Sequence, residues 1–154
     1  MVAYSFKSRF AAPILAGTKA QTIRAERAGK SRHARPGELV QLYTGMRTRQ
    51  CRRLGEAWCL EVLPIRLCFS RHGMAELVQF GDRFIRPERT DDFAREDGFV
   101  DAEDMARFWW AEHGSAPRSD DRFTDPDTLI FEGVLIRWQP LAPASELDMA
   151  GVAA

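Results

Sequence analysis

The chain has 154 residues, 45% of them hydrophobic and 29% charged, and its 22 Lys and Arg are matched by 22 Asp and Glu. That is the length of one domain, able to bury roughly 70% of its unfolded surface, and the composition excludes collagen-like, coiled-coil and wholly disordered chains. No apolar run approaches the ~20 residues that span a bilayer, and Met1 to Lys7 lacks the basic start and apolar core of a signal peptide, so the expectation is an intracellular, cytoplasmic protein with no membrane partner.

Val2 to Phe6 alternates as a short strand. Ser8 to Gly17 sets Phe10, Ile14 and Leu15 at helical spacing, with Ser8 as a cap, Pro13 in the tolerant first turns and Gly17 as the stop. Gln21 to Arg24 reads as extended, Ala25 to Pro36 as a polar, basic loop, and Pro36-Gly37 as a turn into the strand Glu38 to Tyr43. An Arg-rich turn follows over Thr44 to Arg53. Glu56 to Val62 and Ile65 to Phe69 then read as two strands parted at Pro64. The middle is more helical. Met74 to Phe80 is a short amphipathic segment, and Thr90 to Arg95 opens a helix with Thr90 as its cap. Asp101 caps the clearest helix, Asp101 to His113, which lines up Met105, Phe108 and Trp109 and stops at Gly114. A polar, acidic loop, Ser115 to Asp127, leads to the strand Leu129 to Trp138, and from Pro140 the chain turns Ala-rich. The expectation is one α+β domain over residues 1–140, with a tail at 141–154.

The zero net charge hides an asymmetry. Residues 1–71 carry 14 Lys and Arg against 4 Asp and Glu, and residues 72–154 carry 8 against 18. Either the first half binds a polyanion, or the halves neutralise each other across one domain. Arg outnumbers Lys 19 to 3, which suits bidentate phosphate binding and base stacking but follows equally from codon composition. Cys51, Cys59 and Cys68 lie too far apart for a metal-binding pair, and His33, His72 and His113 stand alone, so neither metal nor cofactor is expected.

Chemistry concentrates in Gly17-Thr18-Lys19-Ala20-Gln21-Thr22-Ile23-Arg24. A helix closed by Gly17 delivers Lys19, Thr22 and Arg24 into the next turn and strand, where they can meet an anion or a polar base. A solvated loop is the plainer alternative.

The pattern Gly17-x-Lys19-x-x-Thr22-x-Arg24 resembles the signature of ASCH domains. Pro36-Gly37-Glu38 is similar to that family's turn into a barrel strand, and Asp97-Gly98-Phe99 to its segment before a packing helix. The resemblance runs over roughly residues 4–138 and implies a small, partly open PUA-like β-barrel with flanking helices. It also implies RNA or nucleoside partners. Some members bind RNA, some are reported as ribonucleases, and one branch hydrolyses N4-acetylcytidine to cytidine and acetate with a Lys, a Thr three residues on and a downstream Glu. Lys19 and Thr22 match the first two. The third falls on Asp97, or on Glu96 if the register shifts by one.

For amide hydrolysis Thr22 supplies the hydroxyl. Lys19 is either a neutral base, its pKa lowered by burial, or a charged group steadying an oxyanion. Arg24 either binds substrate or pairs with Asp97 or Glu96. Arg32, Arg35, Arg47 and Arg49 can track a phosphate backbone, and Tyr43 can stack a base; the competing expectation is solvated loops. The reading is an amidohydrolase acting on an N-acylated nucleoside, the alternatives a non-catalytic RNA-binding module and a metal-independent ribonuclease.

Overall fold

A computed structural model of the chain describes residues 1–27, 31–71, 75–113 and 127–141. They form a mixed α+β fold: strands β1 (Val2–Phe6), β2 (Gln21–Arg24), β3 (Leu39–Thr44), β4 (Arg52–Ser70), β5 (Ala75–Phe80), β6 (Arg83–Phe84) and β7 (Thr128–Trp138), with helices α1 (Ala11–Ala16), α2 (Thr90–Glu96) and α3 (Ala102–His113). Short 3-10 turns at Ser8–Phe10 and Pro87–Arg89 lead into α1 and α2. No helix among the described residues is long and apolar enough to cross a membrane.

The sheet is organised around β4, 19 residues long. Its first third pairs antiparallel with β3, which pairs parallel with β1. The remainder pairs antiparallel with β7, which carries β2, while β5 and β6 extend the sheet from the far end of β4. The path β1-β3-β4-β7-β2 is left open, because β1 and β2 share no ladder. A side chain crosses that gap: Arg24 Nη2 donates to the Ser5 carbonyl at 2.7 Å.

Alternation sends Tyr4, Phe6, Val40, Leu42, Leu67 and Phe69 into one core with Leu135, Ile136 and Trp138. Side chains buried to this degree are worth about 1.5–3 kcal/mol each in removed apolar surface. Met105, Ala106 and Trp109 of α3 and Phe93 and Ala94 of α2 pack against it. Asp101 caps α3 as expected, its Oδ1 accepting from Asp104 N at 2.8 Å.

Several expectations are corrected. Ser8 and Thr90 make no cap: the residues before α1 and α2 are Phe10 and Arg89, neither with a side-chain cap bond, and each helix is entered through a 3-10 turn. Strand β4 runs unbroken through Pro64. The Pro64 carbonyl accepts from Gly81 N, on the side away from β7. The proline's missing N–H falls on that same side, so the ladder to β7 loses nothing. The segment ending at Phe80 is strand β5, not a helical stretch. Val78 and Phe80, two apart, are both buried against β4, and a six-residue run is too short for the helical period to prevail. The Arg-rich turn is shorter than expected, since Arg52 and Arg53 already belong to β4. Leu141 packs on the core against Gly55, one residue past the expected domain end. Met74, Gly114, the loop through residue 126 and the tail from 142 lie outside the described residues.

Part of the charge asymmetry is met by pairing between the halves. Lys7 binds Glu112, Arg9 binds Asp104, Lys19 binds Asp97, and Arg66 and Arg71 meet Glu132 and Asp127. The N-terminal strand and helix are thereby tied to the later helices.

Candidate active site

Gly17 ends α1 in the left-handed conformation at φ 80°, and Lys19 N then bonds back to the Pro13 carbonyl at 3.0 Å. This turn drives the Lys19 side chain inward, to 2% exposure. Two residues later β2 begins, and Thr22 and Arg24, two apart on a strand, share a face.

The opposite wall comes from the end of α2. Gly98, at φ 93°, allows the helix to close with Gly98 N bonded to the Arg95 carbonyl and Phe99 N to the Ala94 carbonyl, the double bond of a Schellman motif. The cap residue of that motif is Asp97, and its carboxylate is turned into the fold at 4% exposure. The preceding Glu96 is exposed and lies 3.8 Å from Arg137. The carboxylate of the site is therefore Asp97. Glu96 is corrected out of it, because the helix end faces the two side chains in different directions.

Lys19 Nζ donates to the Asp97 carbonyl at 2.5 Å and lies 3.5 Å from its Oδ1. It also sits over the Phe10 ring at 4.8 Å and the Phe6 ring at 5.5 Å. Burial pushes the Lys19 pKa down, against the pull of Asp97, and pushes the Asp97 carboxyl up, against Lys19. The Gln21 amide approaches the Asp97 carboxylate and favours its charge, although Nε2 completes no hydrogen bond of full geometry. Both shifts oppose charge, so the site holds a lysine readier than usual to give up its proton.

Arg24 forms neither expected ion pair. Its Nη2 takes the Ser5 carbonyl and its Nε donates to Thr22 Oγ1 at 3.1 Å, while the guanidinium lies over Phe6 at 4.9 Å. Desolvation lowers its pKa, and the donated bond leaves the Thr22 hydroxyl proton free for another acceptor. Replacing Arg24 by Ala removes both bonds and leaves the Ser5 carbonyl to find a new donor, so we expect a loss of about 2 kcal/mol in urea unfolding. Arg24→Lys recovers little of it, because a single ammonium does not reproduce the fork. An unchanged urea midpoint in Arg24→Ala would rule out this bridging role.

Lys19, Thr22, Arg24 and Asp97 line one cavity of about 310 Å³. Its walls are aromatic, chiefly Phe10, Phe99 and Phe108: Phe10 packs edge to face on the other two at 5.4 and 5.6 Å, and Phe99 tilts against Phe108 at 5.2 Å. Lys7 and Glu112 join across the mouth in an ion pair. The expected contact residues Arg32, Arg35, Tyr43, Arg47 and Arg49 do not line the cavity. Arg32 is held in a two-pronged bond to Glu38 at 2.8 and 2.9 Å, which draws the Glu38 pKa down to about 2. Arg35, Arg47 and Arg49 are exposed and Tyr43 is half-buried in β3. Ser5, Gln21 and the aromatic walls went unforeseen: a backbone acceptor leaves no side-chain signature, and Phe99 and Phe108 lie some 80 to 90 positions from the motif. Among the described residues no cluster of three or more His, Cys, Asp or Glu is placed to hold a metal ion.

Compared with protein-family models, with curated proteins and with solved structures, the chain matches none of them.

Proposed function

We propose that the protein is a PUA-like ASCH domain enzyme that hydrolyses an N4-acylated cytidine, releasing the nucleoside and the carboxylic acid. The observation that carries the reading is the meeting of Lys19, Thr22, Arg24 and Asp97 in one aromatic-walled cavity. The open path β1-β3-β4-β7-β2, whose gap Arg24 bridges, supports the partly open barrel.

In this reading the planar base lies between phenylalanine rings with its acylated amine toward the floor. Neutral Lys19 takes the Thr22 hydroxyl proton, and Oγ1 adds to the amide carbon. The developing oxyanion takes an N–H of Arg24. The C–N bond then breaks as the amine leaves with a proton returned through Lys19 and Asp97. Water, losing its proton along the same route, cleaves the acyl–Thr22 ester to give acetate and regenerate Thr22. A cavity of about 310 Å³ sits at the small end of ligand pockets, which fits a nucleoside better than a strand.

The test is incubation with N4-acetylcytidine and chromatographic detection of cytidine and acetate, with Thr22→Val as the control for contaminating activity. Cytidine that appears with the wild type and not with Thr22→Val is the expected result. No product from folded wild type would overturn the enzyme reading. A salt-dependent RNA affinity in its place would move the function to binding through Arg47 and Arg49, which make no ion pair among the described residues.

A further inference from the structure

His113 ends α3 at the mouth of the cavity, half-buried, with the exposed Glu112 beside it and Lys7 opposite. Its ring lies flat on Trp109, centroids 4.8 Å apart and planes at 23°, and tilts against Phe131 at 5.6 Å. Trp109 in turn stacks on Phe69 of the core. The imidazole is thus held in place by packing. Yet neither ring nitrogen forms a hydrogen bond to a described residue. Its charged neighbours at the mouth, Lys7 and Glu112, are engaged with each other. A side chain fixed by stacking, whose polar edge meets no described residue, in a cavity walled by hydrocarbon rings is suited to receive a ligand's polar group.

We infer that His113 binds the sugar hydroxyls of a nucleoside whose reacting edge lies at Lys19 and Thr22. This rests on the nucleoside reading above and adds where the rest of the ligand goes. Lys19, Thr22 and Asp97 form the buried floor and His113 the mouth. In a pyrimidine acylated on the exocyclic amine, the sugar is attached at the ring atom diametrically opposite. An acyl group on the floor therefore sends the sugar outward, to His113. A ring nitrogen on the imidazole edge can donate to, or accept from, a sugar hydroxyl. His113 is in this role a positioning residue for the ligand; it does not enter the chemistry.

The test uses the product and its free base, so that binding is read apart from turnover. Cytidine and cytosine are titrated calorimetrically into wild type, His113→Ala and His113→Phe, the last of which keeps a flat ring on Trp109 but removes the nitrogens. Wild type should hold cytidine about fivefold more tightly than cytosine, the range of a hydrogen bond or two. Both variants should lose that preference while cytosine affinity stays unchanged. Equal affinities in wild type, or a preference retained in His113→Phe, overturns the inference and leaves the nucleoside reading standing. Loss of cytosine binding in His113→Phe marks a merely structural role and overturns it too. Wild type that binds neither compound overturns the nucleoside reading, and the inference with it.

Discussion

Lys19→Met should abolish the proposed hydrolysis and lower the stability of the protein by about 3–5 kcal/mol near neutral pH, the range measured when one partner of a buried ion pair is removed. Lys19 and Asp97 are 2% and 4% exposed, so Asp97 left alone has no solvent to turn to. It must either remain an uncompensated anion or take up a proton, and both are costly. Adding Asp97→Leu removes the stranded group. The double variant should regain most of the lost stability and none of the activity. Urea midpoints at constant m, with chromatographic assay, separate the two effects. A Lys19→Met variant as stable as wild type would mean that the pair is not energetically coupled.

The same pair sets a pH signature. Asp97 binds its proton more tightly in the folded chain than in the unfolded one, because burial raises its pKa above 3.8. Its contribution to stability is therefore fullest below 3.8 and is lost as pH rises through the raised value. Lys19 runs the other way. Its folded pKa lies below 10.5, so the unfolded chain holds the proton longer and stability returns as pH rises through the lowered value toward 10.5. The difference between wild type and the Lys19→Met/Asp97→Leu variant should fall and then recover across that range, with the other carboxylates cancelling. Activity that needs neutral Lys19 should climb on the same alkaline limb.

What was legible in the sequence was local. Lys19, Thr22 and Arg24 are readable because they stand within six positions and follow a glycine at the end of a helically spaced run. Asp97 is visible only through a resemblance, and the choice against Glu96 follows from the left-handed turn at Gly98, which makes Asp97 the cap residue and turns its carboxylate inward. Arg24 was expected to seek a carboxylate and instead takes the Ser5 carbonyl, an acceptor present at every position and so invisible in a pattern. Strand β5 was read with the helical middle because six residues satisfy both periods; its long-range pairing with β4 decides. The Arg-rich loops carry a charge signal that is real, yet the structure uses much of the asymmetry for internal pairing, with Lys7 to Glu112 and Arg9 to Asp104 fastening one half to the other.

Gly98→Ala is the substitution by which one methyl group should do most harm. At φ 93° any L side chain is strained, by about 1–2 kcal/mol. Space is also lacking: a Cβ at Gly98 would stand 2.6 Å from Lys19 Cδ and 2.9 Å from Phe10 Cδ1. Phe10 has little room to yield, since it packs edge to face on both Phe99 and Phe108. Lys19 is the softer neighbour, but moving it draws Nζ off the Asp97 carbonyl. Overpacking of this kind adds about 1–3 kcal/mol to the backbone strain, for roughly 3 kcal/mol in total. A displacement near 1 Å at the proposed base costs on the order of a hundredfold in rate. Gly37 provides the control, because it has a similar φ of 88° and nothing within 4 Å of where its Cβ would stand. Gly37→Ala should show the backbone strain alone and keep full activity. If the two variants lost equal stability, the close contact with Lys19 would carry no weight, and the shape of the cavity floor would owe nothing to Gly98 beyond its turn.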